Sequence, residues 1–157
     1  MTTILKLENL NYGYEDGGFR RQILKDLSYE FEQGQFYTIL GPSGSGKTTL
    51  LNLILGITDL TGGKLLYNGK DLSNTPMEQR GFNIVFQDYA LFPNLNVYKN
   101  ITYGLKNRPG ISTDQEVEEF IDLFGLREHL CKRIDQLSGG QKQRAALART
   151  MVMKPKI

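Results

Sequence analysis

The chain has 157 residues, a net charge of +2 and one cysteine. This length is enough for one domain with an apolar core, and so small a charge does not by itself indicate nucleic-acid binding. The single cysteine, Cys131, excludes an internal disulfide and favours a reducing compartment, where we expect it to be inert. No stretch reaches the about 18 apolar residues of a membrane span, and the N-terminus lacks the apolar core of a signal peptide.

The first third of the sequence predicts strands on either side of a loop. Apolar and polar residues alternate over residues 4–10 and 23–32, whereas the glycines between 12 and 21 predict a loop. The apolar run FYTIL at 36–40 predicts a strand buried on both faces of a parallel sheet. A glycine-rich stretch and a helix follow, and Gly56 ends that helix.

Beyond this helix the predicted elements change from strands to helices. Residues 64–67 predict a strand that ends at the turn Asn68-Gly69, and FNIVF at 82–86 predicts another buried strand. Helices are predicted after the capping-box pattern of Ser112 and Thr113 with Gln115 and Glu116, up to Gly125, and again from about Gly140 to Met153.

The sequence GPSGSGKT at 41–48 lies between a predicted buried strand and a helix, and it fits the phosphate-binding pattern G-x-x-x-x-G-K-[ST]. Glycines let backbone N–H groups point inward around phosphate oxygens, and the helix N-terminus adds a positive dipole end. We expect Lys47 to reach the β- and γ-phosphates and the Thr48 hydroxyl to bind Mg²⁺. The pattern predicts binding of a nucleoside triphosphate by Gly41, Pro42, Ser43, Gly44, Ser45, Gly46, Lys47, Thr48 and Thr49.

A second anion site is predicted at LSGGQ, residues 137–141, directly before the last helix. Ser138 supplies a hydroxyl, Gly139 and Gly140 supply unobstructed amides, and the helix supplies its dipole. The two anion sites are either two separate sites or two halves of one site built by two chains.

With these two motifs in this order, the sequence resembles the nucleotide-binding domains of ATP-binding-cassette (ABC) transporters, from Leu5 to Ile157. The resemblance implies an α/β fold: a P-loop NTPase core of ABC type with an N-terminal antiparallel β subdomain and a helical insert, the C-terminal part of the core being missing. It implies one incomplete ATP-binding domain over residues 1–157. Its parts are the β subdomain and P-loop core at 1–87, the helical subdomain at 88–136, and the family's signature motif, LSGGQ, with its helix at 137–157.

The resemblance also implies roles for individual residues. Ser138, Gly139, Gly140 and Gln141 would contact the γ-phosphate of ATP held by a second ATP-binding subunit in a head-to-tail dimer. Gln87, where the family has its Q-loop glutamine, would contact Mg²⁺ or the attacking water, so that Gln87 and Lys47 are the predicted catalytic residues. Tyr14 would stack on adenine, with Tyr12 as the alternative.

The same resemblance implies partners. The protein would be the ATP-binding subunit of an ABC transporter, peripheral at the cytoplasmic face of the membrane through a transmembrane permease subunit, with no nucleic acid as partner. Residues 89–105 resemble the importer branch for polyamines, ferric iron or sugars. Phe92, Leu95 and Tyr98 are either permease contacts or core of the helical insert. His129 precedes the signature, so it is not the family's switch histidine, and we expect a surface or helix-end position.

In the family, the segment that follows KPKI is an apolar strand ending in an aspartate and a glutamate, and a later loop supplies a histidine. These residues would lie beyond Ile157, so we expect the 157 residues alone to be poorly stable and hydrolytically inactive, with an open strand edge at Phe36, Thr38 and Leu40. The alternative function is a non-hydrolytic nucleotide-binding fragment. An ABC-type ATPase of DNA repair or translation is disfavoured, because the stretch between Gln87 and Ser138 has no sustained heptads.

Overall fold

The computed structural model describes residues 2–157, with the side chains of residues 15, 16, 19 and 20 outside that description. The described elements divide into two compact units, one ending at Gly81 and one beginning at Phe82. In chain order they are β1 (Thr3–Asp16), β2 (Phe19–Glu32), α1 (Lys47–Leu55), β3 (Gly62–Tyr67), β4 (Lys70–Asp71), α2 (Met77–Arg80), α3 (Val97–Ile101), α4 (Asp114–Leu123) and α5 (Gly139–Met151).

The first unit contains an antiparallel sheet with the strand order β2-β1-β3-β4. The loop predicted between residues 12 and 21 was wrong, because β1 and β2 continue through it and Tyr14 pairs with Arg21. The turn is confined to Gly17 and Gly18, which both have positive φ, as a tight two-residue hairpin requires. The predicted turn at Asn68-Gly69 is confirmed between β3 and β4.

Apolar side chains of the sheet and of α1 form the buried part of this unit. Alternate residues of β1 are buried, and so is one face of α1; the buried residues include Leu5, Leu7, Leu10, Leu24, Leu50, Leu53, Ile54, Leu55, Leu65 and Leu72. Arg80 is buried with them at 3% exposure. Its guanidinium donates from Nη1 to the carbonyl oxygens of Leu53 and Ile54, both at 2.8 Å, so it satisfies the C-terminal end of α1. Burial lowers the pKa of Arg80.

The two predicted buried strands at 36–40 and 82–86 were wrong, since neither segment belongs to a strand. Phe36 is fully exposed and Leu40 is 85% exposed. A strand of a parallel sheet needs a neighbour for its backbone hydrogen bonds, and among the described residues neither run pairs with one. Phe36, Thr38 and Leu40 are exposed, but because this run is not a strand, the open strand edge expected at these residues is not formed.

The second unit is helical, and its apolar core lies between α3, α4, α5 and the turns that connect them. The predicted helix start at Thr113 is confirmed by a complete capping box with Glu116. The core consists of Val97, Ile101, Val117, Ile121, Leu126, Ile134, Leu137, Ala145, Ala148 and Val152. Among the described residues the longest helix, α5, has 13 residues, and no helix combines the length and apolar character needed to cross a bilayer.

Candidate functional site

The loop between residues 41 and 46 curves around the side chain of Lys47. The Nζ atom of Lys47 donates to the carbonyl oxygens of Gly41 at 2.9 Å and Pro42 at 2.7 Å, and it lies 3.4 Å from Ser45 Oγ. Gly44 and Gly46 both have the positive φ that a side chain would oppose. The loop therefore presents one fixed positive charge on a glycine-rich backbone.

The N-terminus of α1, directly behind this loop, has no side-chain cap. Gly46 occupies the N-cap position and has no side chain to accept from the helix amides. By contrast, α3, α4 and α5 are capped by the side chains of Asn96, Thr113 and Ser138. The first amides of α1 are thus free to bind an anion, beside the exposed hydroxyl of Thr48 and the half-buried Thr49.

The loop packs closely on β2, and this contact places it near the predicted adenine-stacking residues. A Cβ atom on Gly46 would lie 2.9 Å from Ile23 Cγ2 and 3.3 Å from Leu24 Cδ2. In the sheet register Leu24 pairs with Tyr12, and Arg21 pairs with Tyr14. Tyr14 is 42% exposed whereas Tyr12 is half-buried, so Tyr14 is the more accessible of the two rings.

The signature in the second unit is the N-terminal turn of α5, and its geometry is that of a capping box. The N–H of Gln141 donates to Ser138 Oγ at 3.3 Å, and the N–H of Ser138 donates to Gln141 Oε1 at 2.9 Å. Ser138, Gly139 and Gly140 are exposed, and added Cβ atoms on the two glycines would meet nothing within 4 Å. The first turn of α5 therefore offers an open approach to its backbone amides.

His129 lies at the end of the 3-10 turn Arg127–His129, as the sequence led us to expect, but its side chain is not a free surface group. The imidazole is half-buried, and its Nε2 lies 3.0 Å from Gln141 Nε2. Its Nδ1 is buried without a hydrogen-bond partner among the described residues. No signal in the sequence marked this contact, because twelve residues separate the two side chains and only the fold brings them together.

Gln87 is exposed at the start of a turn over residues 87–90 in the second unit. Tyr89 and Ala90, which follow it, both have positive φ, at 65° and 42°. The carbonyl oxygens of Tyr89 and Ala90 accept hydrogen bonds from Arg149 of α5, at 2.9 Å and 2.6 Å, and burial lowers the pKa of Arg149. The turn that carries Gln87 is therefore anchored to the same helix that begins with the signature.

The side chains predicted as permease contacts or insert core differ in exposure. Phe92 and Tyr98 are 37% and 42% exposed, and Leu95 is half-buried. The ring centroids of Phe92 and Tyr103 are 4.3 Å apart. The Cζ atom of Arg149 lies 5.7 Å from the Phe92 centroid. Cys131 is exposed and free, with no cluster of metal-binding side chains around it among the described residues.

Comparison with known proteins assigns the part of the chain that contains both turns to one family. Residues 24–157 match the family model described as ABC transporter. The chain belongs to the ABC transporter family. Binding of ATP is the shared property of this family, and the Lys47 loop with its uncapped helix fits the phosphates of a nucleotide.

Individual ABC proteins resemble the chain over almost all of its length. The spermidine/putrescine import ATP-binding protein PotA of Spiroplasma citri is 46% identical, in an alignment that covers 99% of this chain and 44% of that protein. The chain thus spans less than half the length of this curated relative.

Solved ABC structures confirm the predicted fold class. The structure of cbiO1 from Clostridium perfringens, part of the ABC transporter complex cbiONQ, matches with a TM-score of 0.83 at 33% identity, covering 98% of this chain and 63% of that one. A dimeric post-hydrolysis structure of the ATP-binding cassette MJ0796, bound to ADP and Pi, matches with a TM-score of 0.81 at 30% identity, covering 97% and 71%.

Proposed function

We propose that the chain is the ATP-binding part of an ABC importer subunit, which binds and hydrolyses MgATP in a head-to-tail dimer and so drives a membrane permease. One observation carries the proposal: a single chain of this family combines the Lys47 loop, the uncapped α1 behind it and an open signature turn at Ser138. A phosphate-binding loop alone is compatible with many nucleotide hydrolases, whereas the added signature is specific to this family.

In this proposal the first unit holds the nucleotide. The ammonium group of Lys47 binds the β- and γ-phosphates, the amides of residues 43–48 surround them, and Thr48 contributes its hydroxyl to Mg²⁺. Tyr14 stacks on the adenine ring. The bound Mg²⁺ neutralises charge on the phosphates, and Gln87 orients the water that attacks the γ-phosphate.

The signature completes the site from a second subunit. Ser138 presents a hydroxyl, and Gly139 and Gly140 present backbone amides that the capping box does not use; these groups suit the γ-phosphate of ATP on the partner subunit. Closure of the dimer then depends on ATP, because the nucleotide supplies the charge that the two helix ends share. In this way ATP binding would bring the two subunits together, and this movement would be passed to the permease.

A polyamine is the solute that the proposal favours. The support is the 46% identity to a protein named for spermidine/putrescine import. Phe92 and Tyr98, both exposed on the second unit, are the proposed contacts with a permease helix, which would hold the subunit at the cytoplasmic face of the membrane.

The ATP-binding claim is tested by titrating a fluorescent ATP analogue into the wild-type protein, Lys47→Ala and the control Lys25→Ala. Lys25 is an exposed lysine of the same unit. We expect Lys47→Ala to weaken binding by roughly ten- to hundredfold, because it removes charge-assisted hydrogen bonds, and Lys25→Ala to leave binding unchanged. Equal affinity in all three proteins would refute the site, and ATP binding without Mg²⁺-dependent turnover by the intact subunit would favour the non-hydrolytic module.

The solute is tested in proteoliposomes that contain the intact subunit and a polyamine permease. Spermidine uptake should require ATP and MgCl₂, and it should be inhibited by putrescine but not by maltose or ferric ion. Uptake of maltose or iron in place of spermidine would overturn the solute assignment while leaving the ATP-binding claim intact.

A further inference from the structure

We propose that His129 is a positioning residue for the signature: its imidazole fixes the side-chain amide of Gln141 and, through that amide, the N-cap of α5. The contact joins two segments that are separate in sequence, the 3-10 turn before the signature and the first turn of α5.

A single amide connects the imidazole to the cap. Gln141 Nε2 lies 3.0 Å from His129 Nε2, while Gln141 Oε1 accepts from the backbone N–H of Ser138 at 2.9 Å. The oxygen and the nitrogen of this amide therefore have different hydrogen-bonding roles. Oε1 must face Ser138, since the Ser138 N–H needs an acceptor, and this requirement turns the NH₂ group toward His129.

The contact also constrains which ring nitrogen of His129 carries the proton. An amide NH₂ group only donates, so the 3.0 Å contact is a hydrogen bond only if His129 Nε2 is an unprotonated acceptor. The ring proton of the neutral imidazole then resides on Nδ1. That atom is buried and has no partner among the described residues. Burying an unpaired N–H is unfavourable, so this tautomer is retained at a cost to stability.

The capping box of α4, in the same unit, differs from that of the signature in carrying a charged residue at N3. At α4 the N3 residue is Glu116, whose Oε1 accepts from Lys154 Nζ at 2.6 Å. An ion pair of this kind at α5 would place a carboxylate beside the proposed phosphate position and repel it. Gln141 with neutral His129 achieves the same double hydrogen bonding without negative charge.

The inferred consequence is that Gln141 supports the signature from behind rather than contacting nucleotide through its side chain. Both ends of its amide are already used within the chain. Ser138, Gly139 and Gly140 remain as the exposed groups. The benefit to phosphate binding rests on the proposed function, whereas the arrangement of His129, Gln141 and Ser138 does not.

The test compares His129→Leu with His129→Gln by amide hydrogen exchange in the intact protein. Leucine has no acceptor, whereas the glutamine side chain can place Oε1 where the imidazole has Nε2. We expect exchange at the Ser138 amide to rise roughly fivefold or more in His129→Leu and to return to the wild-type rate in His129→Gln. The Glu116 amide, in the capping box of α4, is the internal control and should not change.

A second measurement does not depend on any variant folding. His129 is the single histidine of the sequence, so long-range ¹H–¹⁵N spectra of wild-type protein report its tautomer without ambiguity. We expect the proton on Nδ1. A proton on Nε2, or wild-type exchange at Ser138 in His129→Leu, would overturn the inference. Neither readout involves nucleotide, so a failure of ATP binding would count against the proposed function alone.

Discussion

Arg149 and Ala90 are joined by a 2.6 Å hydrogen bond from Nη1 of the guanidinium to the backbone carbonyl oxygen. The neighbouring Nη2 donates to the carbonyl oxygen of Tyr89 at 2.9 Å, so one side chain binds two consecutive carbonyls. Both of these residues are in the left-handed region, which opposes a side chain. The fork of Arg149 therefore stabilises a conformation that the turn after Gln87 would not adopt by itself.

Replacing Arg149 by lysine should destabilise the second unit by about 1–3 kcal/mol, because an ammonium group cannot reproduce the planar two-donor fork. Urea denaturation followed by circular dichroism measures this loss. Arg144→Lys, an exposed change in the same helix, is the matched control and should be close to neutral. Equal midpoints for the two variants would show that the fork does not contribute to stability.

Gly56→Ala should be more destabilising than Gly69→Ala, although both glycines have φ near 80°. At Gly69 the cost is backbone strain of about 1 kcal/mol, because a Cβ there meets nothing within 4 Å. At Gly56 the Cβ would lie 2.6 Å from Arg80 Nε. Displacing that buried guanidinium from the α1 carbonyls should add about 1–3 kcal/mol.

Thermal denaturation of the two variants measures the difference. Repeating the comparison in an Arg80→Met background separates backbone strain from the steric contact with Arg80. Without the guanidinium, Gly56→Ala should destabilise the protein no more than Gly69→Ala does. An excess that persists without Arg80 would place its origin elsewhere in the turn.

Ser138→Arg should leave ATP binding to the isolated subunit unchanged and abolish the ATP-dependent dimer, since the added side chain fills the open approach to the signature amides. Analytical ultracentrifugation with and without MgATP measures dimer formation. Thr113→Arg removes the equivalent cap of α4, at a similar stability cost of about 0.5–2 kcal/mol, and should still dimerise. A Ser138→Arg protein that dimerises with ATP would contradict the action of the signature on a partner subunit.

Glu116→Gln should reduce stability at neutral pH but not in acid. The hydrogen bond from Lys154 holds the pKa of Glu116 below its ordinary value of 4.5, and the Thr113 amide adds to this effect. A carboxylate with a lowered pKa contributes stability above its unfolded-state pKa, and this contribution is lost as the pH falls through the folded-state pKa.

The measurement is the denaturation midpoint of wild type and Glu116→Gln across pH 2 to 8. The two curves should separate above about pH 4.3 and converge below it. Gln can still complete the capping box, so the difference isolates the charge. In a Lys154→Gln background the separation should shrink; a pH-independent difference would contradict this account.

Local signals predicted much of the structure. The helix ends at Gly56 and Gly125, the capping box at Thr113 and the turn at Asn68-Gly69 each depend on a few adjacent residues, and each is present. The three glycines at 13, 17 and 18 predict one long loop, whereas the structure confines the turn to Gly17 and Gly18. Gly13 instead lies within β1, where an added Cβ would be 2.8 Å from the Arg21 carbonyl oxygen.

Features that depend on distant partners were not predictable in the same way. The apolar runs at 36–40 and 82–86 have the composition of buried strands, yet strand formation requires a neighbouring strand that the described residues do not provide. The contact between His129 and Gln141, and the fork of Arg149, join residues far apart in sequence. The two predicted phosphate-binding motifs were recognisable because each consists of adjacent residues.

The exposed run at 36–40 also has a consequence for self-association that we expect in solution. A largely apolar, exposed segment that pairs with no strand among the described residues can pair with the same segment of another molecule. We expect self-association through this segment, rather than unfolding, to limit the concentration at which the protein stays in solution.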